Sequence, residues 1–269
     1  MAERKRTRQP VLGLGPEARP VIKGGGFLRW ADFQWPENRD EFPLNVPAFR
    51  ELERLEFHPA VTFFIGENGT GKSTLLEAIA VKAGFSAEGG WKRRATEEIS
   101  ASSRLDTHLR LARGGYPGDG WFLRAESFYN VATELERLDK EPFCGHGFVA
   151  YGGKELHAQS HGEAFLALLN HRLSGDGLYF FDEPEAALSP QRQLAVLALL
   201  HRLVRHRSQL VIATHSPILL AYPHARIFEF SERGIHPIRY EETEHFRVTR
   251  DFLAQPERMI ELLLSEEEE

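Results

Sequence analysis

The chain has little of what a secreted or membrane-spanning protein requires. Its 269 residues include a single cysteine, Cys144, which excludes a disulfide bond within one chain. No apolar run approaches the roughly 20 residues of a membrane-spanning helix. The basic start, residues 1–6, lacks the apolar stretch of a secretory signal. We therefore expect a cytoplasmic protein without an intrinsic membrane segment.

The chain also lacks a large excess of positive or of negative charge, since 33 basic residues stand against 39 acidic ones. The net charge is −6, so the chain lacks the strong positive charge typical of a basic nucleic-acid-binding domain, although a local basic patch stays possible. The length suits one large α/β domain better than two small ones. Residues 1–20 carry several arginines and prolines without periodicity and are expected to form a flexible basic arm.

A glycine-rich segment after an apolar run carries the strongest chemical signal. Residues 61–65 are typical of a buried strand, and residues 66–73 match the phosphate-binding pattern G-x-x-x-x-G-K-S/T before a helix-like segment. Glycines let backbone N–H groups surround phosphates, and the helix N-terminus adds its dipole. Lys72 is expected to reach the β and γ phosphates, and Ser73 to bind Mg²⁺. The expected nucleotide-binding residues are Gly66, Glu67, Asn68, Gly69, Thr70, Gly71, Lys72, Ser73 and Thr74.

Two later apolar runs end in polar side chains that suit the same chemistry. Residues 178–181 predict a buried strand that ends at Asp182 and Glu183. The first carboxylate would hold Mg²⁺, and the second would orient and deprotonate the attacking water. Residues 210–214 predict another strand, which delivers His215 to the same sheet edge. A lone histidine there is often structural, but beside a phosphate loop a γ-phosphate sensor is favoured.

Residues 160–163 allow two interpretations. Ser160 and Glu163 have the spacing of a capping box, which needs only a helix N-terminus. A helix start with an exposed serine and glycine also suits a phosphate that arrives from outside the chain.

The remaining segments predict local structure. Residues 49–55 suggest a short helix, and strand-like pieces around 108–111 and 121–124 suggest a hairpin. Residues 190–204 predict a helix that begins at Pro190, with one face formed by Leu194, Leu197, Leu200 and Val204. Residues 241–269 predict a helical extension with an acidic tail. Its expected apolar contacts are Phe246, Leu253, Met259, Ile260, Leu263 and Leu264. Packing is favoured over adenine stacking for Trp30, Phe33 and Trp35.

Taken in order, the motifs resemble the nucleotide-binding domain of the ABC ATPase superfamily. The resemblance runs from about residue 21 to residue 240 and is closest to small stand-alone ATPases related to SMC-like and OLD-like ATPases. It implies an α/β P-loop fold with a mixed, mainly parallel sheet flanked by helices. It also implies an N-terminal antiparallel β portion and a helical signature part at about 126–172.

The resemblance assigns roles to individual residues. Asp182 takes the Walker B position, Glu183 the catalytic position and His215 the position of the switch histidine, while 188–189 fall in the D-loop. Glu126 is the nearest candidate for a lid-loop ligand of Mg²⁺. His161 replaces the first glycine of the transporter-type signature. The signature residues, which would act on the partner chain's nucleotide, are Ser160, His161, Gly162 and Glu163.

The resemblance also implies a mechanism and a set of partners. ATP and Mg²⁺ would bind, two chains would pair head to tail around two nucleotides, and hydrolysis would reset the homodimer. The pairing would serve DNA, or a repair or defence partner. The alternatives are an ATP-binding subunit of a membrane transporter and a nucleotide-dependent switch with little turnover. The complete set of carboxylates and histidine favours the enzyme over the switch.

Overall fold

The chain folds around two β-sheets of unequal size. The smaller sheet has the strand order β2-β1-β5 and is antiparallel, and the larger one has the order β10-β9-β3-β8-β7-β6-β4. The computed structural model describes residues 26–87, 89–91, 104–124, 166, 169–170, 172–186 and 188–265. The strands are β1 (Leu28–Phe33), β2 (Arg54–Glu56), β3 (Val61–Gly66), β4 (Gly90–Trp91), β5 (Leu109–Arg113), β6 (Asp119–Arg124), β7 (Gly177–Asp182), β8 (Gln209–Ala213), β9 (Arg226–Ser231) and β10 (Gly234–Ile238).

Five parallel strands form the centre of the larger sheet. Strand β3 pairs in parallel with β8 and β9, while β7 pairs in parallel with β8 and β6. The edge strands β4 and β10 are antiparallel. Every residue of β7 and β8 is buried, as expected for strands covered on both faces. The carboxyl ends of the five parallel strands therefore meet at one edge.

Helices cover both faces of this sheet. Helix α1 (Lys72–Ala83) and the smaller sheet share one apolar cluster with Phe64, whereas α2 (Pro190–Arg205) and α3 (Pro217–Leu220) share another with Phe63. Full burial of a side chain such as Leu200 contributes about 2 kcal/mol. Two further helices follow, α4 (Glu244–Ala254) and α5 (Pro256–Ser265). The predicted α/β P-loop fold with an antiparallel N-terminal portion is confirmed.

The prediction of a hairpin from the strand-like pieces around 108–111 and 121–124 is wrong. Both strands form, but β5 pairs with β1 in the smaller sheet, and β6 pairs with β7 in the larger one. Trp121, Phe122 and Leu123 are buried and suit a sheet that is covered on both faces, while most of β5 is only half-buried. The glycine-rich connection carries the chain from the smaller sheet to the larger one. Local turn chemistry does not reveal which strand each of the two pairs with.

Residues 49–55 form a turn and a strand rather than the predicted short helix. A single 3₁₀ turn spans Pro47–Phe49, and strand β2 begins at Arg54. The Trp35 indole donates a hydrogen bond to the Leu52 carbonyl oxygen (2.5 Å) and lies stacked between Phe33 and Phe49. Packing is therefore the observed use of Phe33 and Trp35.

The later helices confirm their predicted faces only in part: Leu200 and Val204 of α2 are buried, and Leu197 packs against the same cluster. In α2 the buried residues are Val196, Leu199, Leu200, Leu203 and Val204, while Leu194 is 56% exposed. The predicted helical extension forms as α4 and α5, yet neither helix contains a buried residue. Of its expected apolar contacts, Phe246 packs on Tyr240, whereas the expectation is wrong for Leu253, Ile260, Leu263 and Leu264, which are exposed.

A polar network supports the other end of the sheet. The Tyr179 hydroxyl donates to Asp119 Oδ2 (2.8 Å), and Arg172 Nη1 donates to Asp119 Oδ1 (3.1 Å). We expect Asp119→Ala to lower the free energy of unfolding by about 3 kcal/mol, because it removes the acceptor that the largely buried Arg172 guanidinium and the Tyr179 hydroxyl share. Urea unfolding measures this change. The control Asp251→Ala removes an exposed pair and should cost less than about 1 kcal/mol, and equal losses would contradict the expectation.

The same network has a pH dependence. Burial raises the pKa of Asp119, but the hydrogen bond from Tyr179, the charge of Arg172 and the backbone N–H groups of Gly120 and Ser174 together outweigh burial and hold the pKa below its ordinary 3.8. A carboxyl group whose pKa is lower in the folded protein than in the unfolded chain stabilises the fold at pH values above its unfolded pKa. Its contribution should therefore be present above pH 3.8 and disappear as the pH falls through the folded value. Asp119→Ala should remove this part of the acid dependence.

Candidate functional site

The glycine-rich loop joins β3 to α1 at the carboxyl edge of the sheet. Gly66 and Gly71 have φ angles of 138° and 94°, which side chains of L-residues rarely adopt. A Cβ atom on Gly71 would also lie 2.8 Å from Phe49 and 2.9 Å from Val46. The loop therefore depends on glycine for its turn and for its close approach to the segment before β2. Glu67, Asn68 and Gly69 are exposed.

Lys72 folds back over this loop. Its Nζ donates to the carbonyl oxygens of Gly66 (2.8 Å) and Glu67 (2.7 Å), and only 4% of the residue is exposed. Burial lowers the pKa of the ammonium group, while the carboxylates of Glu183 and Asp182 act in the opposite direction. The fold thus places a desolvated cation at the start of α1, beside the backbone amides of the loop. Thr74 lies in the first turn of α1.

Ser73 and Asp182 meet across the sheet edge. The Ser73 hydroxyl donates to Asp182 Oδ1 at 2.8 Å. Two oxygen ligands at adjacent corners of a Mg²⁺ octahedron lie about 3 Å apart, given metal–oxygen distances of about 2.1 Å. A hydroxyl and a carboxylate are hard oxygen donors of the kind that Mg²⁺ prefers. The pair therefore fits a magnesium ion.

Arg124 is a site residue that sequence reasoning missed. It ends β6 directly beside Asp182 in the parallel ladder, and its Nε lies 3.8 Å from Asp182 Oδ2. Its Nη1 donates to Glu77 Oε2 on α1 at 2.6 Å. The guanidinium therefore lies between α1 and the acidic end of β7. No local pattern indicates this position, since it depends on β6 being the neighbour of β7.

Glu183 and His215 face each other at the ends of adjacent strands. Glu183 Oε1 lies 3.7 Å from His215 Nε2, and the Glu183 side chain is 42% exposed. Glu183 has a φ angle of 50°, a strained conformation for a residue with a side chain, and its N–H donates to the Ala213 carbonyl oxygen (2.9 Å). This turn presents the carboxylate to solvent beside the imidazole, where a water molecule could be activated.

Glu185 supports the backbone of His215. Its Oε1 accepts a hydrogen bond from the His215 N–H at 2.5 Å, and burial raises the pKa of this carboxyl group. Sequence reasoning gave Glu185 no role in the site. The contact joins the turn after β7 to the turn after β8 and so fixes the position of one turn relative to the other.

Gln193 makes a second connection between these turns. Its Nε2 donates to the Leu188 carbonyl oxygen (3.1 Å), and its Oε1 accepts from the Ser216 hydroxyl (2.7 Å). The Ser216 hydroxyl also accepts from the N–H of Leu219 and so caps α3. The segment predicted as a D-loop is thereby hydrogen-bonded, through one side chain, to the residue after His215.

A cavity of about 380 Å³ opens beside the loop and reaches the C-terminal extension. His245, from α4, places its Nε2 at 3.2 Å from His215 Nδ1. Burial lowers the pKa of both histidines. The lining residues are Gly66, Glu67, Asn68, His215, Glu229, Glu244, His245, Val248 and Thr249.

The structure thus gathers the described sequence candidates at one sheet edge. The loop 66–74 and the residues Asp182, Glu183 and His215 occupy the ends of β3, β7 and β8 and the start of α1. The lid-loop candidate Glu126 and the signature candidates Ser160, His161, Gly162 and Glu163 lie outside the described residues.

Two family models match the chain. One, described as "AAA domain", matches residues 44–101, which include the phosphate loop. The other, described as "AAA domain, putative AbiEii toxin, Type IV TA system", matches residues 163–221, which include the acid pair and His215. Both matches agree with the resemblance to ABC-superfamily ATPases that the order of motifs indicates.

Curated relatives show similarity over part of the chain. One is named "Putative ABC transporter ATP-binding protein" and comes from Bacillus thuringiensis subsp. konkukian (strain 97-27). It is 30% identical over 158 residues, which cover 56% of this chain and 29% of that protein. The chain therefore spans less than a third of the length of the curated relatives it matches.

Several solved structures are distantly similar to this chain. The SMC head domain from Thermotoga maritima has a TM-score of 0.44 at 15% identity, over 79% of this chain and 99% of that one. The cbiO1 structure from Clostridium perfringens, described as part of the ABC transporter complex cbiONQ, has a TM-score of 0.48 at 16% identity, over 88% and 99%. In the described part of the chain, no helix has the length and apolar character needed to cross a membrane.

Proposed function

We propose that this chain, whose motif order resembles that of an ABC-type ATPase and which matches two AAA-domain family models, binds ATP with Mg²⁺ and hydrolyses it. The observation that supports hydrolysis most directly is the convergence of three elements at one sheet edge. These are the phosphate loop with Lys72, the oxygen pair of Ser73 and Asp182, and the facing pair of Glu183 and His215.

The phosphate loop supplies the binding energy for the triphosphate. Its backbone N–H groups and the N-terminus of α1 favour an anion, and Lys72 adds a positive charge with little water around it. On ATP binding, the Lys72 ammonium exchanges two carbonyl oxygens for phosphate oxygens, which are stronger acceptors. The Ser73 hydroxyl and the Asp182 carboxylate would hold Mg²⁺, which neutralises charge on the β and γ phosphates when bound.

Glu183 and His215 act in the chemical step, the attack of water on the γ-phosphate. The exposed carboxylate of Glu183 accepts a proton from the attacking water, and His215 donates a hydrogen bond from Nε2 toward the γ-phosphate. The turn that holds Glu183 at positive φ and the contact from Glu185 keep both groups at the site before ATP arrives. Little reorganisation is then needed at the moment of reaction.

Turnover by the wild-type chain tests this function. Purified protein should release phosphate from ATP in the presence of Mg²⁺, and chelation of the metal should stop the release. A protein that binds ATP tightly but releases no phosphate with Mg²⁺ would contradict hydrolysis and would favour the nucleotide-dependent switch.

ATP-dependent pairing of two chains is the second part of the proposal. Three residues of the phosphate loop, 67–69, are exposed and could be covered by a second chain. By the resemblance, that chain would present Ser160, His161, Gly162 and Glu163 to the nucleotide. Because the γ-phosphate would then be contacted from both sides, ATP would bind the dimer more tightly than the monomer.

We expect Ser160→Arg to block this pairing. In a Glu183→Gln background, ATP should produce a dimer, whereas the additional Ser160→Arg change should leave a monomer because the larger side chain prevents close approach. ATP affinity of the monomer should change by less than about threefold, since Ser160 acts on the partner's nucleotide. Light scattering with and without ATP measures the mass. The control is a double variant that combines Glu183→Gln with Glu232→Gln, a change at an exposed turn, instead of with Ser160→Arg. A dimer that survives Ser160→Arg would contradict this arrangement.

The pairing would serve a DNA or protein partner in repair or defence. The description of the second family model is compatible with defence, whereas the names of the curated relatives favour an ATP-binding subunit of a transporter. Affinity for DNA should fall steeply with salt if DNA is the partner, because phosphate contacts release counterions. Co-purification with a membrane protein would favour the transporter instead.

A further inference from the structure

The C-terminal extension is fastened to the segment that follows His215. The Tyr240 hydroxyl donates to the Pro217 carbonyl oxygen (2.9 Å), and the Tyr240 ring packs on Phe246 of α4 (4.7 Å between ring centres). Thr243 caps α4 by accepting from the Phe246 N–H at 3.3 Å. These contacts fix the start of α4 and bring its second residue, His245, to His215.

The two imidazoles share one short polar contact. His245 Nε2 and His215 Nδ1 lie 3.2 Å apart, with the ring planes at 47°. Burial lowers the pKa of both rings, so both are neutral near pH 7. A neutral imidazole carries one proton. The contact therefore holds a single proton, and the ring that donates it determines where the second proton of the pair lies.

The surroundings favour one of the two proton arrangements. If His215 donated from Nδ1, the His245 proton would lie on Nδ1, a buried atom without a hydrogen-bonding partner among the described residues. A buried donor without an acceptor costs about 1–3 kcal/mol. The bare Nε2 of His215 would then face the Glu183 carboxylate at 3.7 Å, a repulsive arrangement. Donation from His245 Nε2 places the second proton on His215 Nε2, which is also buried without a hydrogen bond among the described residues, so the cost of a buried donor is similar in both arrangements. The Glu183 carboxylate distinguishes them, because at 3.7 Å it attracts an N–H of His215 and repels a bare nitrogen.

We propose that His245 is a positioning residue that fixes His215 as the Nε2–H tautomer, so that His215 can donate a hydrogen bond at the γ-phosphate end of the site. The inference rests on the proposed ATPase function. Through His245 the C-terminal extension, which lies beyond the segment with recognisable motifs, would contribute a residue to the hydrolytic site. His245 acts through His215 and does not contact the nucleotide.

Kinetics of two variants test this role. His245→Leu removes the donor at similar size. We expect kcat to fall by about 10- to 100-fold, the range found when the hydrogen-bonding partner of a metal-ligating histidine is removed, with KM for ATP changed by less than about twofold. His245→Gln retains an N–H donor and should keep kcat within about fivefold of wild type. Arg247→Ala, exposed on the same helix, is the matched control and should leave kcat unchanged.

The tautomer itself can be read without any turnover. In ¹⁵N-histidine NMR spectra of the nucleotide-free protein, His215 should carry its proton on Nε2 in wild type and in His245→Gln. In His245→Leu a substantial part should shift to Nδ1. An unchanged Nε2–H tautomer together with unchanged kcat in His245→Leu would overturn the inference.

Failure of this inference and failure of the proposed function are distinguishable. A wild-type protein without ATPase activity defeats the proposed function, while the NMR spectra still decide the tautomer. Thermal unfolding detects any loss of folding in His245→Leu. In that event His245→Gln decides: kcat near wild type supports the role, and kcat as low as that of the leucine variant overturns it.

Discussion

Glu183→Gln should lower the rate of ATP hydrolysis by about 10³-fold while leaving ATP affinity within about threefold of wild type. Removal of a general base costs about 10²–10⁴-fold, and the amide cannot accept a proton from the attacking water. The side chain keeps its size, and the positive φ of residue 183 is as strained for glutamine as for glutamate, so the turn should persist.

The comparison that isolates this effect uses a second acid far from the site. Glu232→Gln changes an exposed carboxylate in the turn between β9 and β10 and should hydrolyse ATP at the wild-type rate. Single-turnover phosphate release with excess enzyme measures the chemical step itself. If Glu183→Gln and Glu232→Gln hydrolyse ATP equally fast, Glu183 is not the base.

Lys72→Ala should weaken ATP binding by about 10²–10³-fold. A hydrogen bond to a charged group contributes about 1.5–3 kcal/mol, and the ammonium makes more than one such contact with the β and γ phosphates. The folded protein should lose little stability, because the burial that lowers the pKa of Lys72 opposes the two hydrogen bonds that its ammonium group donates to Gly66 and Glu67. We therefore expect its unfolding midpoint to lie close to that of wild type.

Lys82→Ala provides the matched control for this prediction. Lys82 lies in the last turn of the same helix and is exposed, so its removal should change neither binding nor stability. Calorimetric titration with ATP in the presence of Mg²⁺ gives the affinities. An affinity of Lys72→Ala within threefold of Lys82→Ala would contradict the position assigned to the lysine.

Local sequence pattern was sufficient where the chemistry lies within one short segment. The loop 66–73 requires glycine at fixed positions, and the acid pair at 182–183 follows a fully apolar run, so both could be identified before any fold was known. The sheet edge that joins them follows from the parallel strand order, which the α/β pattern predicts.

Contacts between distant segments could not be obtained in this way. Arg124 reaches Asp182 because β6 is the neighbour of β7, whereas turn chemistry suggested that β6 pairs with β5. His245 lies 30 residues beyond His215, in a helix whose sequence shows only amphipathic spacing. Glu185 is close in sequence to the acid pair, but its role depends on the turn after β8. Tertiary packing decides all three.

The central claim is that the phosphate loop, the acid pair and His215 surround one triphosphate. Paramagnetic NMR tests it most directly, with Mn²⁺ in place of Mg²⁺ and ATP bound to Glu183→Gln so that the nucleotide stays intact. The signals of the His215 ring and the Gly71 N–H should broaden strongly on addition of Mn²⁺ and ATP. His58, which precedes β3 at the opposite end of the sheet, should broaden far less. Equal broadening of His58 and His215 at saturating ATP would contradict the claim.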